Sequence, residues 1–316
     1  MTREIMYRDA LKEAIDEEMQ RDPTVFIIGE GIAERGGSYK VTEGLLAKYG
    51  PKRVRDTPIA EAGMIGVGVG AAIAGARPIV EILYVDFAML GMDMLVNQAA
   101  KFRLMTGGDG RVPFVMRTQG GTGGGVAAQH SQSLEALFYH IPGLKVVMPS
   151  VPADAKGLLK YALRQPDPVM FLEHKHLYMT KGPVPDGEHI VEFGKADIKR
   201  PGKDVTIIAW SNMIPRALEA AGKLAEEGID AEVLDPRTLV PLAEELALAR
   251  SYAKERQAFG QPLEQLPLHA DTLAGLEAGR FEIAYPRRFV AILKSVRALP
   301  YPAFFRLMAR AVLKAK

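Results

Sequence analysis

The chain has 316 residues, 48% of them apolar and 25% charged, with a net charge of +2. That is the composition of a folded globular protein of about two domains, which excludes a disordered or fibrous class, and so small a net charge argues against a nucleic-acid surface built on overall charge. The absence of cysteine excludes disulfides, thiolate metal sites and cysteine nucleophiles, in keeping with a reducing compartment.

The N-terminus has no apolar signal core, so a cytoplasmic protein is expected. Apolar periodicity predicts an amphipathic helix over 7–20, a buried strand over 25–29 and a helix over 42–49 capped by Thr42. In Asp56-Thr57-Pro58-Ile59-Ala60-Glu61-Ala62-Gly63 a proline turn leads into an uncharged helix over 62–76, rich in glycine and alanine. That run is too short to span a bilayer and reads as tightly packed and buried. Two readings of Glu61 stand side by side. It is either a first-turn acid that gains about 0.3–1 kcal/mol from the helix dipole, or a carboxyl in apolar surroundings, suited to sharing a proton with a ligand nitrogen.

Next come a strand over 78–83, a long helix over 87–105, a strand over 112–118, a glycine-rich loop over 119–129 and a helix over 133–139. A strand, helix, strand unit follows over 144–148, 153–163 and 169–172. The alternation calls for an α/β fold, a doubly wound and mostly parallel sheet with helices on both faces. Proline and glycine cluster over 181–187 and mark a linker. Beyond it a strand over 205–210, a helix over 214–227 and a strand over 230–234 open a second, incomplete α/β domain. The expected domains are 1–182, 190–242 and an atypical, basic, helical tail over 243–316 that begins with a helix over 243–259.

Several motifs carry less than their letters suggest. Gly66-Val67-Gly68-Val69-Gly70-Ala71 satisfies a dinucleotide pattern but lacks the preceding buried strand, so close helix packing explains it better. The loop over 120–125 lacks the Gly-Lys-Ser/Thr ending of a phosphate cradle and reads as a mobile loop lining a site. His174-Lys175-His176 places two imidazoles on one strand face with no third metal ligand in view, so surface placement is the default. Ser131 beside His130 has no G-x-S-x-G elbow, which sets hydrolysis aside.

The ordered set Arg53-Val54-Arg55-Asp56-Thr57-Pro58-Ile59-Ala60-Glu61, Arg77-Pro78-Ile79-Val80-Glu81, Asp86-Phe87, Ala128-Gln129-His130-Ser131-Gln132-Ser133-Leu134-Glu135 and Asp235-Pro236-Arg237-Thr238-Leu239-Val240-Pro241-Leu242 resembles the β subunit of thiamine-diphosphate-dependent 2-oxoacid dehydrogenases. The resemblance spans residues 4–242. It implies a pyrimidine-binding domain that supplies half of a thiamine diphosphate site at a seam between subunits. It further implies that Glu61 holds ring nitrogen N1′, Phe87 packs on the ring face, Ile59 lines the pocket and Glu30 joins a carboxylate network. His130 is implied to reach the reacting carbon or the incoming lipoyl group. The implied partners are an α subunit, which holds the diphosphate and magnesium in an α2β2 assembly, and a lipoyl acyltransferase. Gly108-Asp109-Gly110 imitates the α-subunit signature, but no Asn-Asn follows it. The implied activity is oxidative decarboxylation of a 2-oxoacid such as pyruvate, or cleavage of acetoin, with acyl transfer to lipoyl. No metal ligand in this chain, no nucleic acid and no membrane are expected.

After Leu242 the resemblance stops. Residues 247–276 resemble a short segment of acyl-CoA dehydrogenases, in which the positions matching Arg256 and Phe259 contact flavin. A chain joined in this way raises a second expectation: a non-catalytic or assembly-defective chimera with an unpaired strand edge over 230–234.

Overall fold

The computed structural model describes residues 2–242, 257–258 and 261–262. The chain divides into two compact units, Met1–Glu245 and Leu246–Lys316. In the second unit the strands Gln257–Ala258 and Gln261–Pro262 pair antiparallel. The helix expected over 243–259 is therefore replaced by strand at Gln257–Ala258, and its remainder, the flavin-type Arg256 and Phe259 and the basic tail lie outside the described residues.

The first unit runs β1 (Thr2–Met6), α1 (Tyr7–Arg21), β2 (Val25–Gly29), α2 (Leu45–Tyr49), β3 (Val54–Asp56), α3 (Glu61–Ile73) and β4 (Arg77–Ile82). After a 3-10 turn over Val85–Gly91 and a π-helical turn over Met94–Ala99 come α4 (Ala100–Met105), β5 (Val115–Gly120), α5 (Glu135–Tyr139), β6 (Lys145–Val147), α6 (Pro152–Arg164) and β7 (Val169–His174). The unit ends with β8 (Lys181–Pro185), β9 (Asp197–Arg200), β10 (Val205–Ile208), α7 (Met213–Glu226), β11 (Ala231–Asp235) and β12 (Thr238–Val240).

A sheet in the order β12-β6-β7-β5-β4-β2-β3 forms the centre, parallel throughout except where β12 runs antiparallel to β6. Side chains alternate across a strand, so neighbours feed opposite cores. Ile27, Ile79, Val115 and Val169 join Leu11 and Ile15 of α1 and Leu158 and Leu163 of α6. Ile28, Val80, Met116 and Met170 join Met64, Ile65 and Val69 of α3. Burial on both faces is why these strands read as continuous apolar runs, and each fully buried Leu or Ile contributes about 1.5–3 kcal/mol. A Cβ on Gly68 would collide with Val80 and Phe114. Close packing of α3 on the sheet thus accounts for at least that glycine of the dinucleotide-like motif.

The smaller sheet has the order β10-β11-β9, with α7 supplying Ile214, Ala217 and Ala221 to its core. Here β11 is central, bonded in parallel to β10 and antiparallel to β9. The open edge expected over 230–234 is absent because Asp197–Arg200 pairs there. The neighbouring β12 leaves this sheet for the margin of the large one.

Three local expectations are corrected. The linker over 181–187 contains β8, which pairs antiparallel with β1; Pro183 and Pro185 are tolerable in a two-stranded ribbon, where few ladder bonds need their nitrogens. The long helix over 87–105 is broken into three turns of different pitch, and the approach of Gly91 to Ile65 leaves no room for a Cβ. Thr42 does not cap α2: its hydroxyl donates to the Ile32 carbonyl at 2.6 Å, and Gly44, at φ +85°, precedes the helix instead. Among the described residues no helix is long and apolar enough to cross a membrane.

Candidate functional site

Strand order locates the site. From β2 the chain passes to β3 on one side, while β4 lies on the other, so the order in which the parallel strands are laid down reverses between β2 and β4. Open α/β sheets bind ligands outside the carboxyl ends of the strands at such a point. Glu30 follows β2 there, Glu61 opens α3 after β3, and Asp86 and Phe87 follow β4.

Glu61 is 6% exposed at the first turn of α3, and the preceding Ala60 offers no side-chain cap. It is thus a first-turn acid whose side chain is buried. The Glu30 carboxyl is pushed up first by burial, then by the nearby charges of Glu61 and Glu81. Its Oε1 is buried without a hydrogen-bond partner. Glu30 therefore holds a proton more readily than an isolated carboxyl does.

Phe87 and His130 meet edge to face, with ring centroids 5.3 Å apart at 78°, and Tyr84 meets His130 likewise at 5.1 Å and 82°. The turn that carries Phe87 packs on α3 through Gly91 and Ile65. The structure thus joins Glu30 to Glu61 electrostatically and Phe87 to His130 by contact. Ile59 stands apart at 79% exposure. A hollow of about 600 Å³ opens beside the start of α3, lined by Thr57, Pro58, Ala60, Gly63 and Met64 among others.

Sequence reasoning missed the polar groups that surround these residues. Asp86 accepts hydrogen bonds from the Gln132 side chain at 2.8 Å and backbone at 3.4 Å through Oδ1, while its Oδ2 is buried and unpartnered. Thr57 Oγ1, Thr118 Oγ1 and Gln119 Nε2 are buried without partners as well. Buried polar groups are ordinarily satisfied, so an accumulation of unmet ones along the carboxyl edge of a sheet points to a bound molecule.

Alongside them lies a fully paired cluster. Arg117, 2% exposed, donates to Glu81 at 2.6 Å and to both oxygens of Glu173 at 2.7 and 2.8 Å, and the Tyr178 hydroxyl donates to Glu173 at 2.7 Å. Burial raises the Glu81 carboxyl, and Arg117 opposes that rise. The available signal was one charged residue inside each of three apolar strands.

The glycine loop has a defined backing. A Cβ on Gly121, at φ +94°, would enter the His174 ring, and one on Gly123, at φ +103°, would enter the His176 ring. The two imidazoles, 5.4 Å apart, lie against this loop; His176 is exposed, as a surface placement predicts, and His174 is half-buried. Burial first, then His176 and Lys175, lowers His174 to about 4, so it is neutral at ordinary pH. Its Nδ1 accepts the His176 backbone N–H at 3.2 Å. Among the described residues no group of three His, Asp or Glu side chains could hold a metal ion.

Residues 3–181 match the family described as transketolase, pyrimidine binding domain, and residues 194–259 match transketolase, C-terminal domain. The chain is 51% identical over 244 residues to pyruvate dehydrogenase E1 component subunit beta-1, mitochondrial, of Arabidopsis thaliana, covering 76% of this chain and 67% of that one. It is 51% identical over 252 residues to the acetoin:2,6-dichlorophenolindophenol oxidoreductase subunit beta of Cupriavidus necator, covering 77% and 74%. It is 48% identical over 240 residues to the 2-oxoisovalerate dehydrogenase subunit beta of Bacillus subtilis, covering 76% and 73%. Among solved structures, a split-gene transketolase in an inactive β4 tetramer aligns with TM-score 0.64 and 24% identity, over 88% of this chain and 86% of that one. That likeness is one of fold.

Proposed function

The chain belongs to the family built on the transketolase pyrimidine-binding domain that includes the β subunits of 2-oxoacid and acetoin dehydrogenases, and on that premise we propose that it is the β half of a thiamine-diphosphate-dependent enzyme acting on a 2-oxo compound. The observation that carries this reading is Glu61, a carboxyl 6% exposed beside a second carboxyl that tends to keep its proton. Such a group suits a proton shared with a ring nitrogen.

The residues fit the aminopyrimidine end of the coenzyme. Glu61 would hold N1′, Phe87 would lie along the ring, Ile59 would sit at the rim and Glu30 would stand behind Glu61. When bound, thiamine diphosphate supplies a nucleophilic carbon and an electron sink for cleavage next to the carbonyl. The chain's own part is to keep a mobile proton at the Glu61 carboxylate, to shield the site with Tyr84 and Phe87, and to present the His130 imidazole toward the acyl group or the incoming lipoyl. The diphosphate and magnesium fall to an α subunit in an α2β2 assembly, and a lipoyl acyltransferase takes the acyl group. The 79% exposure of Ile59 fits a pocket closed by a second polypeptide. Residues 1–182 form the pyrimidine-binding domain in this reading, and 190–242 begin the C-terminal one.

The test is co-expression with an α subunit carrying the Gly-Asp-Gly and Asn-Asn signature. Dye reduction is then followed with pyruvate, acetoin and 2-oxoisovalerate, with and without thiamine diphosphate and magnesium. Turnover of at least one substrate, dependent on both subunits and the coenzyme, is expected. An assembled complex that neither binds the coenzyme nor turns over any of the three refutes the reading.

A further inference from the structure

His130 stands on a turn that is not held by packing of its own. Ala128–His130 contains no buried residue, and Ala127 before it takes φ +64°. Its fixings come from outside, and on one side they come from three consecutive residues at the end of β7. His174 and His176 back Gly121 and Gly123 of the same loop. Between them, Lys175 Nζ donates to the His130 carbonyl at 2.6 Å and lies 3.5 Å from Ser131 Oγ. The same ammonium lies 5.6 Å from the centroid of Tyr84, the ring that meets His130 edge-on. On the other side, Asp86 grips Gln132 through backbone and side chain. Residues 130–132 are thereby clamped between a cation just after β7 and a carboxylate after β4. Of the two, only Lys175 bonds to His130 itself, and it does so at the backbone carbonyl.

We propose that Lys175 is a positioning residue that fixes the His130 imidazole for its part in acyl transfer. The inference rests on the function proposed above and adds to it a requirement at a residue assigned no contact with coenzyme or substrate. A short charge-assisted bond to a carbonyl orients the peptide to which it is made. Misplacing a reacting group by about 1 Å can cost on the order of 100-fold in rate.

The experiment uses the assembled complex with its α subunit, with lipoamide as acyl acceptor, and compares Lys175→Met, Lys175→Arg, His130→Ala and the Lys175→Met/His130→Ala pair. Lys175→Met is expected to lower kcat by about 10- to 100-fold, with KM and coenzyme affinity little changed. Lys175→Arg should recover most of the loss. In the His130→Ala background, Lys175→Met should cost almost nothing more, because two residues acting through one group do not add. Should Lys175→Met fail to assemble, Lys175→Gln takes its place in both backgrounds under the same criteria. Near-normal kcat in Lys175→Met, or a loss that multiplies with that of His130→Ala, overturns the inference while leaving the proposed function standing. Full turnover in His130→Ala overturns the role given to His130, and this inference with it.

Discussion

Two pairs of carboxyls lie at the same end of the large sheet, all buried except the half-buried Glu30, and they are treated in opposite ways. Glu81 and Glu173 share the Arg117 guanidinium, and Tyr178 adds a further hydrogen bond. Glu30 is raised first by desolvation and then by Glu61 and Glu81, with no cation among the influences on it, and one of its oxygens is unpartnered. The first pair has its charge met within the fold, as an architectural group must. The second retains an unmet demand, which is what a site for an external partner requires. Proximity and chemical identity do not separate these residues; partnering does.

The comparison can be broken most forcefully at Glu61. Glu61→Gln in the assembled complex should reduce turnover by two orders of magnitude or more, in the range that proton transfer by a placed side chain contributes, about 10²–10⁴-fold. Its melting temperature should stay near that of the parent. Arg117→Met should do the reverse in kind. Removing the cation leaves buried carboxylates uncompensated, so urea unfolding of the chain should register a loss of about 3–5 kcal/mol. A loss under about 1 kcal/mol would remove the distinction between the two pairs.

Two smaller effects sharpen the account through pH. His174 is lowered in the fold to about 4 from an ordinary 6.5, so between these values the unfolded chain binds the extra proton. Stability from this group is therefore full above pH 6.5 and is lost progressively as pH falls toward 4. His174→Asn should lose less stability than the parent over that window in melting experiments, once the cost of the substitution at neutral pH is subtracted. Glu30 runs the other way. Its carboxyl is raised, so the parent is penalised as pH rises above the ordinary carboxyl value of 4.5, where the unfolded group ionises first. Glu30→Gln should gain on the parent in melting temperature as pH rises from 4 to 7, and an unchanged difference across that range would mean that Glu30 carries no such strain.

Much of the large sheet was legible because parallel strands covered on both faces read as apolar runs, as at β2 and β7. Gly68 was legible for a related reason: a glycine-rich helix without charges has few uses other than close packing. The β1–β8 ribbon was not. Its partners lie far apart in the chain, Thr2–Glu4 are exposed, and β8 is written in the proline and glycine that usually mark a linker. The backing of Gly121 by His174 and of Gly123 by His176 was hidden in the same way, since each half of the contact looks ordinary alone. The Arg117 cluster could have been found by asking what a guanidinium does inside an apolar strand. For Glu61, composition left two readings open; the structure adds that it is buried at the first turn of α3, while the identity of the ring came from resemblance.

The most direct measurement is the ¹⁵N resonance of thiamine diphosphate labelled at N1′, bound to the assembled complex. The account predicts that this resonance is displaced toward the protonated form in the parent and returns toward that of the free coenzyme in Glu61→Gln. The same resonance position in both complexes, with the coenzyme bound in each, would contradict it.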